Sequence, residues 1–219
     1  MEEVDVLSRT ESKQLKKQKY VDAMGPLSRG IKRLMDILAA ILGMIVFSPL
    51  ILWCYLAVKK EDGGPAIFSQ ERIGYKGKPF VLYKFRSMCI DSEASGPQLY
   101  AQGDSRLTKV GRFIREHHLD ELPQLWNLLK GDMSMVGYRP ERMFYIEQIM
   151  EHNPDYEYLY QIQPGLFSYA TLYNGYCDTI EKMLERLRLD LEYITNRTLW
   201  TDIKIIYCTI TSILIGKKF

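Results

Sequence analysis

Apolar positions crowd one stretch of this chain more than any other. From Ile37 to Val58 run 22 residues without a charge, where about 20 suffice for a helix to cross a bilayer. Helical continuity is interrupted inside it. Pro49 follows Ser48, and a proline within a helix removes a hydrogen bond and clashes with the carbonyl four residues back, here that of Ile45. Basic residues flank both ends, Arg29, Lys32 and Arg33 before and Lys59 and Lys60 after, and such flanks favour the cytoplasmic side of a membrane. As two helices, Leu34 to Ser48 would be roughly 22 Å long and Pro49 to Lys60 roughly 18 Å, each shorter than a hydrocarbon core of about 30 Å. A kinked spanning helix and a re-entrant helix-break-helix both satisfy this pattern. In either, backbone groups freed at the break need Ser48 or a neighbour as partner.

After a turn at Glu61 to Pro65 the period shortens. AIFSQ (66–70) and PFVLYKF (79–85) read as strands of a β-hairpin with the basic tip Gly74 to Lys78. Lys84 and Arg86, at its end, are either solvated edge charges or, if turned toward chemistry, phosphate ligands. Residues 91–103 form a polar loop. Helical spacing returns at Leu122, Leu125, Leu128 and Leu129, with Pro123 suited to a first turn and Gly131 past the last periodic residue; a helix is expected to begin near Asp120-Glu121, with Asp120 at or beside its N-cap. Residues 141–161 are expected to be helical as far as Asn153-Pro154, and Gln163 to Tyr176, rich in glycine and tyrosine, to be irregular. Asp178 then opens a helix striped by Ile180, Met183, Leu184, Leu187, Leu191 and Ile194, with Asp190 and Tyr193 near its end. In the last segment Trp200, Ile203, Ile206, Tyr207 and Ile210 share a face ahead of Lys217-Lys218; a helix lying in a lipid interface and an ordinary core helix are both open. The organisation is a polar, loosely held tail (1–25) unlike a secretory leader, a helix pair (26–60), and an α/β domain (61–219) mixing helices with a β-hairpin.

Composition adds limits. An apolar share of 47% and a charged share of 26% fit one domain plus an appendage, and a mean hydropathy of −0.19 argues against several spanning helices. A net charge of +2 is too small to imply nucleic acid as partner, and no RRM, KH or zinc-finger pattern is visible. Cys54, Cys89, Cys177 and Cys208 are scattered, without spacing for zinc or a disulfide framework, and are expected to be reduced. What changes the picture is Asp104 to Pro140. Arg106, Lys109, Arg112 and Arg115 come every third residue before Asp120-Glu121, and Arg139 follows. An Asp ahead of a helix is by itself a cap worth about 1 kcal/mol; cations around a carboxylate and a helix N-terminus make an anion site.

The segments KRLMDILAAILGMIVFSPL, IFSQERIGYKGKPFVLYKFRSM, DSRLTKVGRFIREHHLDELPQLWNLLKGDMSMVGYRP and LDLEYI, in this order and spacing, resemble the bacterial sugar transferase family, the monotopic polyprenyl-phosphate sugar-1-phosphate transferases, from about Lys32 onward. The resemblance implies a re-entrant membrane helix broken at Ser48-Pro49, at the cytoplasmic face of a bacterial inner membrane. It implies transfer of sugar-1-phosphate from a UDP-sugar to a polyprenyl phosphate such as undecaprenyl phosphate, releasing UMP, as the first membrane step of capsule, exopolysaccharide, O-antigen or glycoprotein glycan assembly. By motif position it makes Asp120 the nucleophile, Glu121 its assistant and co-ligand of Mg²⁺, Lys84, Arg115 and Arg139 phosphate contacts, and Asp190 part of the functional acidic set. The membrane lipid is a further partner, and homo-oligomerisation is left open. Two positions depart from the family pattern: Tyr138 stands where a proline is common, and Tyr176 where an arginine linked to substrate recognition is usual, which leaves the sugar or nucleotide preference undecided.

Overall fold

The computed structural model describes residues 19–94, 96–98, 104–175 and 179–215. Tyr176, Asp178, most of the 95–103 segment and Lys217-Lys218 lie outside these residues, so the expectations placed on them are not addressed. The fold is mixed and mainly helical, with small sheets at its middle.

Helix α1 (Pro26–Val46) and helix α2 (Ser48–Asp62) meet at 65°. The break is at Phe47, one residue earlier than the Ser48-Pro49 expectation. Pro49 lies in the first turn of α2, where its missing N–H has no partner to lose, and Ser48 Oγ donates to the Ile45 carbonyl at 2.8 Å. Among the described residues no single helix is long and apolar enough to cross a membrane, but the bent pair together is. Helix α1 is amphipathic in the inverted sense. Its inner face buries Lys32, Asp36 and Ala40, and its outer face exposes Leu34, Leu38, Ile41, Leu42 and Ile45. The inner polar groups are docking devices: Lys32 pairs with Asp202, Asp36 accepts the Met135 N–H at 2.9 Å, and the Arg33 guanidinium donates to the Leu128 and Leu129 carbonyls in the last turn of the helix that Gly131 closes.

Strands β1 (Ile67–Ile73) and β2 (Pro79–Phe85) form the expected antiparallel hairpin, registered Ile67 to Phe85 and Ile73 to Pro79. Helix α3 (Lys109–Glu116) follows, capped by Thr108, whose hydroxyl accepts the Gly111 N–H at 2.9 Å. Gly111 is a contact glycine: a Cβ there would sit 1.9 Å from the Ser87 carbonyl oxygen. A 3₁₀ turn (Leu119–Glu121) leads to α4 (Gln124–Lys130), closed by left-handed Gly131 as expected. Asn127 clamps α4 to β2, donating to the Val81 carbonyl at 2.7 Å and accepting the Tyr83 N–H at 3.2 Å.

Strand β3 (Ser134–Val136) pairs in parallel with β4 (Gly165–Phe167), and α5 (Met143–His152) lies between them in sequence. The segment expected to be irregular therefore holds a strand and α6 (Tyr169–Asn174); its backbone groups are paired with β3, a long-range partner that local glycine content does not reveal. Helices α7 (Ile180–Asn196) and α8 (Leu199–Leu214) complete the chain. The α7 stripe enters the main core as read, with Met183, Leu187, Leu191 and Ile194 against Val136, Ile146 and Leu159. Tyr138 is fully buried in that core, so this departure from the family pattern is a packing residue. Helix α8 buries Ile205 and leaves Trp200 74% and Tyr207 68% exposed. Residues 19–25, read as the end of a loose tail, are instead strapped down: Asp22 receives two hydrogen bonds from the Arg197 guanidinium and Ala23 N–H donates to the Ile194 carbonyl.

Candidate active site

Three elements bring the dyad and its cations together. The 3₁₀ turn after α3 carries Asp120 and Glu121, β2 carries Lys84, and the loop after β3 carries Arg139. Asp120 is 5% exposed and does not cap α4, because the intervening Leu122-Pro123 separates it from the helix and no side-chain cap bond forms there. Its role as a local helix cap is thereby removed. The turn is entered through His118 in left-handed backbone, φ 55°, a conformation that costs a non-glycine residue energy and that clusters at functional sites.

Lys84 is the central cation. Its Nζ donates to Glu121 Oε1 at 2.6 Å and stands 4.0 Å from Asp120 Oδ2, so it is turned toward the Asp120 site and is not a solvated edge charge. Arg139 reaches Glu121 at 3.5 Å. The two carboxyl groups diverge in acidity. Burial, reinforced by the Glu121 charge, pushes the Asp120 carboxyl above its usual range, against the pull of Lys84 and Arg115. Glu121 pays the same kind of burial penalty, but Lys84 and Arg139 outweigh it and hold its carboxyl well below the usual range.

Not every expected cation joins. Arg115 lines the cavity that Asp120 faces, whereas Lys109 and Arg112 are exposed, since a three-residue step on a helix advances only 300° and the row drifts around the axis. Arg106 is tied to Asp104 and the Ser92 carbonyl. Arg86 lines the same cavity as Arg115 but is held by Asp62 and the Pro65 carbonyl, and so fastens the end of α2 to the hairpin. Asp190 does not face the dyad. It lies beneath Arg139, 2% exposed, accepting from the Ser168 hydroxyl at 3.1 Å and from the Arg139 backbone N–H. Burial raises its carboxyl to about 7, against the nearby Arg186 charge and these hydrogen bonds.

Two cavities adjoin the dyad. One, about 210 Å³, is polar and holds Lys84, Arg115, Asp120, Arg139, Arg142 and Arg186. The other, about 390 Å³, is apolar, walled by Gly43, Phe47 and Leu50 of the bent pair, Leu172 and Ile213, with Glu121 also in its lining. Arg72, Glu141 and Arg186 belong to this site and were missed from sequence. Glu141 accepts from both Arg72 (3.1 Å) and Arg186 (2.7 Å), an assembly of residues distant in the chain.

A family model described as "Bacterial sugar transferase" matches residues 27–216. The chain belongs to that family. Among curated relatives of this chain, a UDP-N-acetylgalactosamine-undecaprenyl-phosphate N-acetylgalactosaminephosphotransferase of Aeromonas hydrophila is 42% identical over 87% of the chain and 45% of its own length. UDP-glucose:undecaprenyl-phosphate glucose-1-phosphate transferases of Caulobacter vibrioides and Escherichia coli are 40% and 39% identical, over 87% and 90% of the chain and 73% and 43% of their own lengths. The chain thus spans less than half the length of two of these three relatives.

Proposed function

We propose that this transferase moves a sugar phosphate from a UDP-sugar to a polyprenyl phosphate at a membrane surface, through a phosphosugar ester on Asp120. The observation that carries this reading is a buried Asp-Glu dyad at the junction of a cation-lined polar cavity and an apolar one. The relatives' names supply the substrate classes; which sugar and which glycan this chain serves follow from neither.

An Asp120 oxygen attacks the phosphorus that bears the sugar, and the P–O bond to UMP breaks with its electron pair leaving on UMP. A phosphate oxygen of the acceptor then attacks the same phosphorus, and the Asp120 carboxylate departs with the pair it had shared. Covalent division lets two bulky substrates react at one phosphorus in turn. Lys84 and Arg115 favour the ionised nucleophile against burial, and Arg139, 3.5 Å from Glu121, would neutralise charge on the transferring phosphate. Two adjacent carboxylates fit a hard cation that keeps water and substrate phosphates as its other ligands, as Mg²⁺ commonly does; among the described residues no group of three or more ligands forms a protein cage. Asp120 and Glu121 would hold Mg²⁺, which when bound offsets the negative charge of the pyrophosphate.

The membrane reading rests on the inverted α1. An outer face of Leu, Ile and Met over an inner face of paired charges is costly in water, and Trp53, Trp126, Trp200 and Tyr207, all exposed, are side chains favoured at lipid interfaces. A re-entrant pair bent at Phe47, on the cytoplasmic face of the inner membrane, accommodates both basic flanks on one side. An acceptor phosphate at headgroup level would then meet the dyad without crossing the bilayer.

The experiment is UMP release from a panel of UDP-sugars with undecaprenyl phosphate and Mg²⁺ in detergent. Asp120→Asn is expected to lower turnover by on the order of 10³-fold or more and Glu121→Gln by about 10- to 100-fold. Near-normal release by Asp120→Asn would remove the nucleophile.

A further inference from the structure

We propose that donor and acceptor occupy separate compartments divided by Arg139 and Arg186, so that the nucleotide and the lipid phosphate can be bound at the same time. This rests on the transferase reading above and goes beyond it, because a covalent intermediate alone does not require two sites.

Among the described residues lining the two cavities, only Arg139 and Arg186 line both; Asp120 lines the polar one and Glu121 the apolar one. Arg186 is built into this partition. It is 8% exposed, its Nη1 donates to Glu141 at 2.7 Å and its Nη2 to the Gly175 carbonyl at 3.3 Å, while its Nε is buried with no hydrogen-bond partner among the described residues. A buried donor left unmade is unfavourable, so the Arg186 guanidinium keeps capacity for one more acceptor.

Each compartment matches one substrate. In the polar one, guanidinium and ammonium groups outnumber the carboxylates of Glu93, Asp120 and Glu141, which suits a diphosphate. The apolar one is walled by Ala39, Gly43, Phe47 and Leu50 of the bent pair and by Ile210 and Ile213 of α8. These are the helices whose outer faces are the exposed apolar surface. Its lining also includes Arg139 and Arg186. An occupant with a long apolar tail and an anionic head, an isoprenoid phosphate, is complementary to both.

The arrangement has a kinetic signature. With one shared site, UMP and the acceptor bind the same vacated position and UMP competes with the acceptor. With two compartments, UMP competes with the UDP-sugar and is not displaced by the acceptor. Initial rates of lipid product formation are measured on the full chain in detergent, with the UDP-sugar that gives turnover, undecaprenyl phosphate and added UMP. The expected result is competitive inhibition against the UDP-sugar and noncompetitive inhibition against undecaprenyl phosphate. Competitive inhibition against undecaprenyl phosphate overturns the proposal while leaving the transferase reading intact; failure of every donor to release UMP removes both. Ala39→Trp, which fills the apolar compartment, is expected to raise KM for undecaprenyl phosphate several-fold more than KM for the donor. An unchanged acceptor KM in the folded variant would show that this cavity holds bulk membrane lipid only, and would also overturn the proposal.

Discussion

Asp120 and Glu121 are neighbours in the chain but not in chemistry, because Lys84 touches one and only approaches the other. The carboxyl left less compensated is the one facing the polar cavity. Crowding two carboxylates in a buried turn is unfavourable unless more positive charge arrives with the substrate complex, so removal of divalent cations by chelation is expected to abolish UMP release and Mg²⁺ to restore it; full activity in chelator would exclude the metal role. Asp190 offers a different test. Its carboxyl titrates near 7 in the folded protein against an ordinary value of 3.8, so the neutral form favours folding. That contribution is complete below about pH 4 and is lost as pH rises toward 7. Asp190→Asn, which keeps an acceptor oxygen for Ser168, lacks this dependence. Relative to wild type, the variant is expected to gain stability between pH 4 and 7 by up to about 4 kcal/mol, read by denaturant unfolding at both ends of the range. A pH-independent difference would place the Asp190 charge elsewhere. The residues legible from sequence, Lys84, Asp120, Glu121, Arg115 and Arg139, sit in long continuous motifs. Glu141 and Arg186, 45 positions apart, do not; Asn127 lies inside one, but its clamp on β2, where its side chain mimics a strand edge, shows only in the folded chain.

Among the elements, the bent pair is the one where local chemistry and long-range packing disagree by a residue. Pro49 guarantees a break but not its place; the chain turns at Phe47 and uses the proline as a helix start. Ser48 then satisfies the Ile45 carbonyl, as the pattern required. If the pair re-enters, both of its ends face the cytoplasm. Single cysteines at Gly30 and Lys60, both exposed, are expected to resist an impermeant thiol reagent in intact cells and to react after lysis, over the wild-type background. Labelling of one end only in intact cells would restore a spanning helix. The β-hairpin needed no such arbitration, since alternation and a glycine-rich tip specify register between near neighbours. The β3–β4 pair did: two three-residue strands about 30 positions apart carry too little pattern to be read singly.

At the scale of the whole molecule, ion pairs and hydrogen bonds draw the N-terminal strap, α1 and α8 onto the catalytic part through Asp22, Lys32, Arg33 and Asp36, leaving apolar outer faces on α1, α2 and α8. The transferase is therefore expected to remain in the membrane fraction through high salt and alkaline carbonate and to be released by detergent; release by salt alone would reduce the attachment to headgroup electrostatics. The sequence by itself determined what depends on short-range pattern: the helix periods, the hairpin, the broken apolar stretch, and the dyad with its nearby cations. Only the tertiary structure decided which charges matter. It withdrew Arg106, Lys109 and Arg112, tied Arg86 to Asp62 at the wall of the polar cavity, moved Asp190 beneath Arg139, and set Arg186, held by Glu141, between a polar and an apolar cavity. The reason is physical: a side chain's charge is written in the chain, but its direction and its burial are set by distant elements packed against it.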